Sequence, residues 1–234
     1  ILSVKFFDTS KPVTAPNTFN MSKKVDVVCI SDNVCPWCYI GKKHLDNALK
    51  RLENKYDFTV DWRPFFLVPR GRVPKQGVPL DDYLLATHGY KSRVDGPVPT
   101  AGKKVGIAIN NKRFVVPTLD SHRLIRLAKE QGKLNNLMDT LFKAYFEDAA
   151  IISDANVLDQ IGTNAGLVGV KEYIESDRNK KEILEQEIES RNTYGVNGVP
   201  YYVLTMRESG KSVQFSGCTQ TIAWIQAIND LAES

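Results

Sequence analysis

The stretch "CISDNVCPWCYIGKKHL", residues 29–45, decides the fold: Cys35 and Cys38 stand two residues apart, just after an apolar run and just before a helical pattern. Upstream, "VDVVCIS" (Val25 to Ser31) is β-branched and mostly apolar, the pattern of a strand buried on both faces. Downstream of Pro36, residues Ile40, Leu45, Ala48, Leu49 and Leu52 recur at helical spacing, with Lys, Asp, Arg and Glu opposite. The segment reads strand, short turn, helix, with Cys35 where the helix begins. Pro36 suits the first helical position, because its missing N–H is one that a helix start leaves unpaired. Cys38 falls one turn further on, on the same face, so the two sulfurs can close a disulfide across that turn.

Such a pair is open to four readings: a structural disulfide, half of a zinc site, a redox dithiol, or coincidence. A ring this small adds little stability, which favours chemistry over stapling. A structural zinc site needs four N or S ligands, and the only further donors are the scattered Cys29, Cys218, His44, His88 and His122, so no metal is expected. A helix N-terminus favours the thiolate, the reactive form of cysteine. Placement between a buried strand and an amphipathic helix therefore favours the redox dithiol.

Working outward, "FTVDWRPFFL" (Phe58 to Leu67) reads as a second strand, ended by Pro69 and Gly71. Residues 68–118 are broken by prolines and are expected to be irregular and partly mobile, with one short helix at Leu80 to Thr87. From Leu119 to Asn192 nearly everything reads as helix, including "DSHRLIRLAKEQGK", "LMDTLFKAYFEDA", "DANVLDQIGTNAG" and "KEYIESDRNKKEILEQEIESRNTYG", several beginning at Asp or Ser and closing near Gly. After Gly198, "VPYYVLTM" and "KSVQFSG" alternate with period two around "RESG", an expected antiparallel hairpin. That pairing brings Gly217 and Cys218 near Pro200. A last helix, "TQTIAWIQAINDLAES", is expected to bury Ile222, Ile225, Ile228 and Leu231, with Thr219 as its cap.

Composition narrows the class of function. The chain has 234 residues, 42% hydrophobic and 25% charged, which is globular composition long enough for a large core. Net charge is +4 with no basic run beyond a pair or triplet, so neither nucleic acid nor a membrane surface is an expected partner. No stretch approaches the ~18 apolar residues of a membrane span, and the opening residues lack a signal peptide's apolar centre. Residues 1–20 are expected to be a flexible tail, with Met21 as the start of the folded chain. Four cysteines are too few for a disulfide-stapled scaffold, which points to a cytoplasmic location.

"SDNVCPWCYIGKKHL" resembles the active-site segment of the FrnE-like branch of the DsbA family, thiol–disulfide oxidoreductases of the thioredoxin superfamily. "TLDSHRLIRLAKEQGK" with "LFKAYFEDAAIISDANVL" is similar to that family's helical insertion, and "YGVNGVPYYVL" to its Gly-Val-Pro loop. The resemblance implies an α/β thioredoxin-like fold, a βαβ…ββα mixed sheet with core residues 21–67 and 193–234 and a large helical insertion over 68–192. It implies Cys35 as nucleophile, Cys38 as resolving cysteine, and Pro200, preceded by Val199, as a cis-proline facing the dithiol. Pro36, Trp37, Val199 and Pro200 would contact a disulfide- or thiol-bearing protein or small molecule. No bound cofactor is implied, and glutathione or a protein dithiol would exchange electrons with the site. Asp32 is a candidate cap or proton relay, and Cys218 either a small buried thiol or a third redox group. The kappa-class glutathione transferases and 2-hydroxychromene-2-carboxylate isomerases share the architecture but typically carry Ser at the reactive position, which Cys35 and Cys38 argue against.

Overall fold

The structure, a computed structural model, describes residues 22–233. The apolar run becomes β1, Lys23–Ser31, with Val25, Val27, Cys29, Ile30 and Ser31 buried. As an interior strand it has both edges paired, but its burial alternates along much of its length, with Asp26 and Val28 only half-buried, so it is less completely covered than the apolar run suggests. Its neighbours are β2, Tyr56–Pro64, and β5, Tyr201–Met206, with β6, Ser212–Ser216, completing a sheet ordered β2-β1-β5-β6. Cys29 stands opposite Trp62 in the parallel β1–β2 pair and opposite Tyr202 in the antiparallel β1–β5 pair. The parallel pair needs a crossover, which is α1, Pro36–Leu52.

The second strand starts two residues before the expected Phe58 and stops at Pro64 rather than Leu67. Proline supplies no further ladder donor. Past it, Phe65 N–H still donates to Ser31 O at 3.0 Å, but Leu67 N–H is taken by the Asp32 carboxylate at 2.8 Å, which turns the chain away from the sheet.

Between β2 and β5 lie β3 (Val78–Pro79), α2 (Leu80–His88), α3 (Pro97–Lys104), β4 (Phe114–Val115), α4 (Leu119–Glu130), α5 (Leu134–Phe146), α6 (Ala155–Asn164), α7 (Val170–Glu175) and α8 (Lys180–Tyr194). Residues 68–118 are more regular than their prolines suggest. β3 and β4 pair antiparallel, and Pro97 and Pro99 fall in the first turn of α3, where a missing N–H costs nothing. The expected single helix from Lys171 to Tyr194 is instead α7 and α8, separated at Asn179 with φ 60°. The cause is Arg123 of α4, fully buried, whose guanidinium donates to the carbonyls of Tyr173, Ile174, Ser176 and Arg178. Of the expected caps, Asp154 accepts from Asn156 N–H and Val157 N–H to start α6.

The last helix, α9, is Thr221–Glu233, and Trp224 rather than Ile222 carries its buried stripe: Trp224 and Ile228 are inaccessible while Ile222 is 68% exposed. The Trp224 ring meets Tyr202 and Phe215 edge-on, with centroids 4.7 and 4.8 Å away. Thr219 does not cap the helix; its hydroxyl donates to Gly217 O, and α9 is held to α1 by the contact of Thr221 with His44.

A single apolar cluster runs from Val25, Val27 and Cys29 through Tyr39 and Leu45 of α1 to Phe142 and Phe146 of α5. Tyr39 stacks on Phe142 at 5.2 Å and Phe146 at 5.6 Å. The insertion thus packs directly on the helix that begins at Cys35. Met21 and the expected tail before it lie outside the described residues.

Candidate active site

Cys35 occupies the N-cap of α1 in an extended conformation, with Pro36 in the first turn. Its N–H donates to Asp32 O at 3.1 Å, a tight turn that delivers the chain from β1 into the helix. Its Sγ accepts from Cys38 N–H at 3.2 Å, the place a side-chain oxygen takes in an ordinary capped helix. The Cys35 thiol donates in turn to Val199 O at 3.5 Å, and the Val199–Pro200 peptide bond is cis. Both cysteines are free thiols, 2% and 1% exposed.

The helix start by itself favours a thiolate at Cys35, yet burial pushes this thiol well up. The neighbouring Cys38 sulfur and the Asp32 carboxylate push in the same direction, and the Cys38 N–H alone opposes them. Desolvation wins because the sulfur is buried. The buried Cys35 thiol is therefore harder to ionise than an exposed one, and a partner that brings compensating charge would ease its ionisation.

Asp32 caps no helix. It is fully buried, its Oδ2 accepts from Leu67 N–H, and its Oδ1 lies 3.5 Å from His122 Nε2 of α4. Asn33 is tied to the same helix through Ser121 Oγ at 2.8 Å. The turn before Cys35 is therefore fastened to the insertion. Trp37 is half-buried and lines a cavity between α1 and the insertion.

Pro200 is buried and its carbonyl accepts from Gly217 N–H at 2.8 Å, so the β5–β6 pairing does carry Cys218 to the neighbourhood of the dithiol. Cys218 is half-buried; burial, with a smaller push from Cys38, raises its thiol to about 11. Cys29 lies inaccessible in β1. Of the tyrosines, Tyr202 is core and Tyr201 half-buried beside Ile30 and Val196. His88 stacks on Tyr90 at the surface. Among the described residues, no group of three or more His, Cys, Asp or Glu is placed to hold a metal, and no helix is long and apolar enough to cross a membrane.

Two residues with local consequences had no signal in the sequence. Lys42, two turns into α1, is buried and reaches Asp46 at 2.7 Å and Asp139 of α5 at 2.8 Å. Arg113, in the polar run "NNKRF", is buried beneath the cavity that Trp37 lines. Charged residues on a helix face or in a loop ordinarily read as solvated, and only the placement of the insertion buries these two.

A thioredoxin-like sheet with two thiols at the start of its first helix, opposite a cis-proline, defines the class. The sequence profile of the DSBA-like thioredoxin domain matches residues 26–221, and the chain belongs to that family. It is 27% identical, over 62% of its length and 68% of the relative's, to the uncharacterized protein YwbO of Bacillus subtilis. Among solved structures it is similar to a probable DsbA oxidoreductase of Streptomyces coelicolor, with 27% identity, TM-score 0.75, and 90% and 91% of the two chains covered. It shares its fold with the cytosolic disulfide reductase DsbM of Pseudomonas aeruginosa, at 16% identity and TM-score 0.61 over 89% of this chain and 98% of that one.

Proposed function

We propose that this protein is a cytoplasmic thiol–disulfide oxidoreductase of the FrnE-like branch that works through the Cys35-Pro36-Trp37-Cys38 dithiol. The observation that carries the reading is Cys35 at the N-cap of α1, its Sγ receiving the Cys38 N–H and facing the Val199 carbonyl beside cis-Pro200. In the reducing direction, the Cys35 thiolate attacks one sulfur of a substrate disulfide. A Cys35–substrate disulfide forms and the other substrate sulfur leaves as thiolate, taking up a proton. Cys38 then attacks Cys35 Sγ, closing the Cys35–Cys38 disulfide and releasing the second substrate thiol, so two electrons pass to the substrate. Exchange with glutathione or a protein dithiol restores the dithiol, and the reverse sequence oxidises a dithiol substrate. Pro36, Trp37, Val199 and Pro200 frame the place where the substrate sulfur enters, with the Val199 backbone as an edge for an extended peptide.

The reading is tested by trapping. A C38S variant incubated with a disulfide substrate is expected to accumulate the Cys35 mixed disulfide, and C35S to accumulate none. Alkylation mass shifts across a graded glutathione buffer then give the potential of the pair, which sets the direction of net flow. Insulin reduction that survives in C35S would sink the assignment of Cys35.

A further inference from the structure

The cavity that touches the active-site turn extends from it into the insertion. Its volume is about 520 Å³, and its wall contains Val34 and Pro36, the two residues flanking Cys35, with Leu84 and Val98 on the facing side. Size and largely apolar lining are those of a site for a small organic molecule. Lys91 and Arg93 also line it but are exposed, whereas one charged member of the lining is buried. Arg113 is only 5% exposed. Its Nη1 donates to Asn110 O at 2.9 Å, and its guanidinium lies over the Phe146 ring at 5.1 Å and the Tyr145 ring at 5.9 Å. Its Nε has no hydrogen-bond partner among the described residues, and no carboxylate there pairs with it.

Among the described residues, the other two buried Lys or Arg side chains are handled differently. Lys42 is paired with Asp46 and Asp139, and Arg123 with Asp120 and a ring of carbonyls. A buried cation without a counter-charge is costly, and burial lowers the proton affinity of Arg113 accordingly. Its one side-chain partner among the described residues is the Tyr145 hydroxyl, which carries no charge, and a guanidinium lining a largely apolar cavity with no carboxylate on it is the arrangement that binds one.

We propose that this cavity binds a small disulfide carrying a carboxylate, with the carboxylate on Arg113, the apolar body between Trp37 and Leu84, and the sulfurs at the Cys35 end. The proposal rests on the thiol–disulfide reading of Cys35 and Cys38 and names the substrate class of that site. The electrons follow the route given above: the bound disulfide is cleaved by Cys35, its distal half leaves as a thiol, and Cys38 releases the half held by Arg113 as a second thiol while the dithiol becomes a disulfide.

The test uses the reduced full chain in a Cys218→Ala background, single turnover, with two probes. One is dithiobis-nitrobenzoate, which carries a carboxylate on each ring; the other is the uncharged dipyridyl disulfide. Arg113→Gln is expected to weaken saturation by the carboxylate probe by about 10- to 100-fold, the loss of one charge-assisted contact, and to leave the uncharged probe unchanged. Arg113→Lys should recover part of the difference. Equal effects on both probes, or none on either, overturn the proposal. Should Arg113→Gln fail to fold, Leu84→Trp fills the facing wall without touching the cation. It is expected to abolish saturation by the carboxylate probe while insulin reduction persists, and unchanged saturation overturns the proposal. If the wild-type protein reduces both probes no faster than C35S does, it is the dithiol reading that fails.

Discussion

Replacing Lys42 by Met removes the ammonium that fastens α1, the helix of the dithiol, to α5 of the insertion. The side chain is 4% exposed and contacts Asp46 and Asp139 at 2.7 and 2.8 Å, while those carboxylates remain 43% and 52% exposed. Breaking a fully buried pair costs about 3–5 kcal/mol. Here water can take over much of the solvation of the two acids, and Met preserves the length of the aliphatic stem, so the expected loss is about 1.5–3 kcal/mol. The loss should depend on pH. Burial would lower the Lys42 ammonium, but Asp46 and Asp139 outweigh it and hold it above its usual value. Burial would likewise raise Asp139, but Lys42 and Lys43 hold it below the usual carboxylate range. Stability from a depressed acid is present above its unfolded value and lost as pH falls through the folded one; from a raised base it is present below the unfolded value and lost above the folded one. Asp46, pushed up chiefly by burial, disfavours folding while ionised, and its protonation further narrows the gap in acid. Urea titrations should therefore show the full difference between wild type and K42M from about pH 5 to 9, closing below about pH 4. Iodoacetamide should reach the buried Cys35 faster in K42M, since α1 is held less firmly to α5. A difference under about 0.5 kcal/mol at pH 7, or one that stays constant into acid, would falsify the coupling.

Arg123→Met removes the donor shared by four carbonyls at the α7–α8 break and leaves Asp120 unpaired. It should cost about 3–5 kcal/mol in denaturant midpoints, and a neutral result would mean the break is set locally. A methyl group at Gly41 would meet the Tyr202 hydroxyl, which is buried and has no hydrogen-bond partner among the described residues. Gly41→Ala is thus expected to cost about 1–3 kcal/mol alone and much less in combination with Tyr202→Phe, itself neutral or stabilising, as a thermal double-mutant cycle will show. Cys218 in the C35S/C38S variant should alkylate about 10-fold more slowly than an unperturbed thiol at neutral pH: its raised value cuts the thiolate fraction about 100-fold, and higher basicity returns part of that in nucleophilicity. Labelling as fast as free cysteine would show Cys218 to be more open than its half-buried position implies.

What could be read from the chain alone were the features with a local cause. An apolar β-branched run reads as a buried strand, a proline after Cys35 suits a helix start, and period-two alternation on either side of "RESG" reads as a hairpin. These placed Cys35 and Cys38 at the start of a helix and Pro200 at the head of a hairpin; that Pro200 faces the dithiol was implied by the DsbA likeness of the same residues. The tertiary structure decided whatever depends on a neighbour distant in sequence. Trp224 displaced Ile222 from the buried stripe because Tyr202 and Phe215 receive its ring. One arginine of α4 divided a helix that its own sequence would have continued. Above all, the ionisation of Cys35 was not a local property. The helix start favours its thiolate, but the fold buries the sulfur, and in a low-dielectric site the lost solvation outweighs the helix end.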